Sequence, residues 1–176
     1  MEPGCTHSIL GDGQSAPKRV VYATPPTDAE TIVGMLSMAA AGNDAPNNLL
    51  SAVRMMLQGD SHILRDDLRV EQRRRILGTL GFLSVVSIDL FPSYPPARFA
   101  AGINAAVALI ELWPGPNESR KRVPALLRAD IHDRAATFHA ELAALVRARE
   151  ETRTHRRRAA MIAAFLPPPP AEGIFG

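Results

Sequence analysis

Three prolines, Pro92, Pro95 and Pro96, sit between two apolar runs and limit this chain more than any other feature. None can donate a backbone hydrogen bond, and each pushes the residue before it towards extended geometry, so no helix or central strand can pass through this point. The two halves of Ile76–Trp113 must therefore be separate elements that fold back on each other. The second half carries Phe99, Ile103, Ala106, Ile110 and Trp113 at steps of 4, 3, 4 and 3, which is one face of a helix opened by Pro95 or Pro96. Ala101, Gly102, Ala105 and Ala106 leave little side chain there, so a neighbouring helix can approach closely. The first half, Ile76–Leu90, is ambiguous: Gly78 and Gly81 weaken a helix, and Val85, Val86 and Ile88 favour a strand. A lone strand among helices would leave its backbone groups unpaired, so a helix is expected. With the only Trp, one of two Tyr and three of six Phe, this hairpin should form the centre of the core.

Upstream, Thr27-Asp28-Ala29-Glu30 fits a capping box and predicts a helix over 28–41, with Ile32, Met35, Leu36 and Ala39 on one face and a stop at Gly42-Asn43. Asn43 or Asp44 can cap a second helix that holds Pro46 in its first turn and the stripe Leu49, Val53, Met56 and Leu57. A link this short predicts antiparallel packing. Met35, Met38, Met55 and Met56 fall on this pair, as core filling or as an adaptable groove. Asp60-Ser61-His62 reads as a turn, and Asp66 or Asp67 as the cap of a third helix carrying Leu68, Arg69, Glu71 and Arg73-Arg74-Arg75. Consecutive helical residues point about 100° apart, so these arginines form a solvated collar with partners such as Glu71.

Beyond Pro114-Gly115-Pro116-Asn117 and the basic turn Arg120-Lys121-Arg122, Pro124 opens a helical pattern running to about Phe165. A helix of this length spans about 60 Å, more than a compact domain of this size is wide, so part of it projects or it breaks near Thr152–Thr154. Ile131, Phe138 and Leu145 recur every seven residues with Ala135 and Leu142 between them, a short apolar seam.

Aromatics are only 5% of the 176 residues while alanine is abundant, which favours closely packed helices. The expected fold is all-α: a compact helical bundle of about five helices with a central apolar helical hairpin and a long C-terminal helix. Its divisions are a flexible arm over 1–26, a helical domain over 27–166 and a disordered Pro-rich tail over 167–176. One cysteine, Cys5, precludes an intrachain disulfide and suits a reducing compartment. The first residues lack a basic segment followed by an apolar one, and Asp89 and Glu111 interrupt the apolar runs. A soluble, cytoplasmic protein is expected.

No nucleophile elbow, phosphate-cradling loop or dinucleotide fingerprint is present. His132 and His139 lie seven apart, about 10.5 Å along a helix, too far to share a metal. Asp130 and Arg134 have the spacing of a surface ion pair. No enzyme, cofactor or metal site is expected. Charge, by contrast, is segregated: residues 1–60 carry three Lys/Arg against six Asp/Glu, and residues 117–158 carry eleven against six. Arg147, Arg149, Arg153, Arg156, Arg157 and Arg158 precede the apolar Met161, Ile162, Phe165 and Leu166, a combination suited to RNA or an anionic membrane surface. Ile131, Phe138, Leu142 and Leu145 are the candidates for self-association. The resulting expectation is a non-enzymatic, self-assembling structural protein of viral matrix or nucleocapsid type, in host cytoplasm or virion. The alternative is a helical adaptor or regulatory protein, with the proline tail docking a protein partner.

Overall fold

The structure, a computed structural model, describes residues 27–59, 68–113 and 123–165. The expected arm at 1–26, the turn at 60–62, the Asp66 or Asp67 cap, the links over 114–122 and the tail at 167–176 lie outside them. Among the described residues every regular element is a helix: α1 (Asp28–Ala40), α2 (Ala45–Gly59), α3 (Val70–Val85), α4 (Ser87–Leu90), α5 (Pro96–Leu112) and α6 (Ala125–Phe165). The all-α bundle read from the sequence is the observed fold.

The first helix begins where its capping box places it. The Thr27 amide donates to Glu30 Oε2 at 3.0 Å, and the Glu30 amide donates to Thr27 Oγ1 at 3.2 Å. It ends on a Schellman motif, in which the Gly42 amide donates to the Ala39 carbonyl and the Asn43 amide to that of Met38. Gly42 has φ of +78°, a left-handed conformation that glycine adopts without strain. Asn43 and Asp44 both brace the start of α2: Asn48 Nδ2 donates to the Asn43 carbonyl and Asn47 Nδ2 to Asp44 Oδ2. Met56 is buried and Met35 and Met55 pack partly buried against the core, so these side chains fill space between helices. Met38 alone of the four faces solvent.

The predicted third helix and the Ile76–Leu90 helix prove to be one. Nothing between Arg75 and Ile76 breaks the backbone, and α3 runs on through Gly78 and Gly81, both exposed, to Val85. The chain then bends at Val86 into the single turn of α4. Leu68 precedes α3 instead of belonging to it, yet it is fully buried. The collar of arginines also divides: Arg74 pairs with Glu71 at 3.5 Å in solvent, but Arg73 Nη2 reaches across to the Trp113 carbonyl at 2.6 Å. That bond ties the start of α3 to the end of α5.

The proline corner is a turn in which the Tyr94 amide donates to the Phe91 carbonyl, after which Pro96 opens α5. Phe91, Tyr94, Phe99 and Phe138 form one aromatic cluster, with Phe138 supplied by α6. Close approach follows from Gly102: a methyl carbon there would fall on the Phe138 ring. The stripe Phe99, Ile103, Ala106 and Ile110 is buried, and Trp113 is half-buried at the helix end.

Candidate functional site

The 41 residues of α6 form one unbroken helix, and its two ends have different surroundings. Ile131, Ala135, Phe138 and Leu142 are buried against α2 and α5, and Leu145 is half-buried. The apolar seam expected to join copies is thus largely filled by the chain's own core, so Ile131, Phe138 and Leu142 are not open to a second molecule in the folded chain. From Arg147 to Phe165 every residue is exposed. Thr152 does not break the helix, because its hydroxyl donates to the Ala148 carbonyl at 2.9 Å and stays satisfied within the turn.

The six arginines do not point one way. With about 100° between consecutive residues, Arg149, Arg153 and Arg156 continue the face of Phe138, Leu142 and Leu145, and Arg157 lies at its edge. The face that carries apolar side chains while α6 touches the body therefore carries guanidinium groups once it leaves. These arginines, Arg157 and Glu150 line a cleft of about 780 Å³ whose other wall is Asp44 of the α1–α2 turn, Pro46 and Asn47 of the first turn of α2, and Ser93 of the proline corner. Arg147 and Arg158 lie on the opposite face with Thr154, Met161, Ile162 and Phe165. There Met161 is 64%, Ile162 56% and Phe165 85% exposed. Among the described residues, none of the six arginines, nor Glu150 or Glu151 between them, takes part in an ion pair.

A polar cluster that the sequence did not disclose fixes where α6 leaves the body. Tyr94 Oη donates to Glu141 Oε2, and Arg98 Nη2 pairs with Glu141 Oε1 at 2.7 Å. Burial raises the Tyr94 phenol well above its ordinary range, and the hydrogen bond and charge of Glu141 push the same way against an opposing Arg98. His139, one turn before Leu142, has its imidazole held below the usual histidine range by burial and then by the charge of Arg54. Asp130 and Arg134 form the expected surface pair. Among the described residues no group of three or more His, Cys, Asp or Glu could hold a metal ion, and no helix is long and apolar enough to cross a membrane.

The missed signal was the continuation of the seven-residue period. Ala135 and Leu142 lead to Arg149 and Arg156 in the same register, so the basic face was already marked as the body-facing one. No such signal existed for Tyr94 and Glu141, which are 47 residues apart. Comparison with known protein families, curated proteins and solved structures finds no match to this chain.

Proposed function

We propose that this is a non-enzymatic helical assembly protein, in which the projecting half of α6 joins copies and its arginine face holds a polyanionic strand, RNA in the first instance. That is the work of a matrix or nucleocapsid-type layer. One observation carries the reading: the body-facing seam of α6 changes from apolar residues to Arg149, Arg153 and Arg156 where it leaves the core, so these guanidinium groups overhang a cleft. Arginine presents planar, bidentate donors suited to phosphate, and here those donors have no carboxylate partner among the described residues. A flat bilayer cannot enter a cleft between a helix and a turn, whereas a single strand can; this favours RNA over an anionic membrane. The adaptor reading loses its groove, because Met35, Met55 and Met56 serve the core.

The test is retention of a single-stranded RNA oligonucleotide by the full chain at two salt concentrations, with anionic vesicles in parallel. Each phosphate neutralised on a single strand adds roughly 0.7 to the salt slope of log Kd, so replacing Arg149, Arg153 and Arg156 together by Gln should lower that slope by about 2. Binding to vesicles but not to RNA would transfer the role to a membrane surface. Retention of neither would end the polyanion reading.

A further inference from the structure

The outward face of α6 lies opposite both the core and the arginine-lined cleft, and it is built differently from either. Running towards the C-terminus it presents small residues first (Ala140 and Ala144), then the acidic Glu151, then the basic Arg158, with Glu150 and Arg157 on the flank that borders the cleft. It ends in large apolar side chains, Met161, Ile162 and Phe165, each more than half exposed. Glu151 lies three residues before Thr154 and Arg158 four after it, about 5 Å and about 6 Å away along the axis.

That order suits one occupant, a second copy of the same face. Resting on the self-assembly reading above, we propose that α6 pairs antiparallel with α6 of a second molecule about a two-fold axis close to Thr154. In this pairing Glu151 of each copy meets Arg158 of the other, and symmetry forms every contact twice. The level of Met161 coincides with the methylene stem of the second copy's Arg147, and that of Phe165 with the small side chains at Ala143 and Ala144. A parallel pair sets Glu151 against Glu151 and Arg158 against Arg158, so repulsion excludes it. Both bodies lie on the far side of their helices and do not obstruct the contact, because the outward face is opposite the buried seam. The arginine-lined clefts stay open in the pair, which would offer a strand two of them, one on each side.

The experiment is sedimentation equilibrium of the full chain across a wide concentration range, with circular dichroism to show that each variant stays helical. Glu151→Arg should weaken self-association by about tenfold, as should Arg158→Glu. Both changes together should restore it. In a Cys5→Ser background, Thr154→Cys should form a disulfide with itself on mild oxidation. Met161→Cys should crosslink to Arg147→Cys and not to itself. Self-crosslinking of Met161→Cys, or association indifferent to the charge reversals, would overturn the antiparallel pair while leaving self-assembly standing. A chain that remains monomeric throughout overturns both.

Discussion

Gly102→Ala is the sharpest test of how the body is packed, because two effects of known sign oppose each other at one carbon atom. Alanine is the better helix former by about 0.8–1 kcal/mol, and in an open helical position the substitution stabilises. At Gly102 the new methyl carbon would lie 2.5 Å from Phe138 Cε2 and closer still to Cγ and Cδ2. Ordinary carbon contacts are about 3.5–4.0 Å, so the ring has to retreat by roughly 1 Å or more. It has nowhere to go: Phe138 packs edge-on against Phe99 at 5.7 Å and against Tyr94 at 6.1 Å. Overpacking of this kind costs about 1–3 kcal/mol, leaving a net loss of about 1–2 kcal/mol after the propensity gain. For a chain of this size that lowers the melting temperature by about 2–8 °C. Gly34→Ala, Gly78→Ala and Gly81→Ala serve as controls, since an added carbon at these helical positions meets nothing within 4 Å, and each should raise stability by about 0.5–1 kcal/mol. Urea unfolding of the four variants side by side decides the matter. If Gly102→Ala gains stability like the others, α5 and α6 do not approach as described. Phe138→Leu should relieve the clash, so the double variant should lose less than the two single losses added together.

Two further substitutions probe the bonds that tie distant segments together. Tyr94→Phe removes the hydrogen bond to Glu141 and should cost about 1 kcal/mol by urea unfolding near neutral pH. Because the folded phenol titrates above its unfolded value, Tyr94 contributes stability fully below about pH 10 and loses it as pH rises from there towards the folded pKa; the Phe variant should lack that alkaline loss, and an unchanged pH profile would refute the assignment. Arg73→Ala breaks the bond to the Trp113 carbonyl and should cost about 1–3 kcal/mol, whereas Arg74→Ala, which loses only an exposed pair with Glu71, should stay within about 0.5 kcal/mol of the parent. Equal effects in thermal melts would mean that Arg73 is as solvated as its neighbour.

What could be read in the sequence follows a physical division between local and distant information. Thr27 and Glu30 disclose a helix start because the capping box closes over three residues, and Pro96 discloses one because its ring fixes its own backbone. The stripe from Phe99 to Ile110 is legible for the same reason, since periodicity is a property of a single element. The continuity of Arg75 with Ile76 is not legible, because composition changes there while the backbone does not, and a change of solvent exposure along one helix looks like a boundary. Arg73 and Glu141 were illegible as tertiary anchors, because each meets a partner 40 or more residues away. At the candidate site the basic tract was evident, but its division into a cleft-lining face and an outward face depends on where the body ends along α6.

That end point also sets the dynamics of the projection. A helix in water is limited by its nucleus, and here the nucleus is supplied: Ile131–Leu142 are clamped in the core, so each residue beyond Leu145 only extends an existing helix. Ala, Arg, Glu and Met extend it well, while Thr152, Thr154 and His155 are weaker formers midway. With every residue of this segment exposed, little packing opposes fraying, and opening of residues 150–165 should need only about 0–1 kcal/mol, against the full unfolding free energy around Phe138. Amide hydrogen exchange on dilute protein should therefore show protection of roughly tenfold or less in 150–165 and protection orders of magnitude greater in 131–142. Raising the protein concentration, or adding RNA, should slow exchange in 150–165 selectively, since an occupant of either face opposes fraying. Strong protection of that segment in a dilute monomer would mean that its exposed side chains are covered by the same molecule, and the surface assigned to assembly would then be blocked.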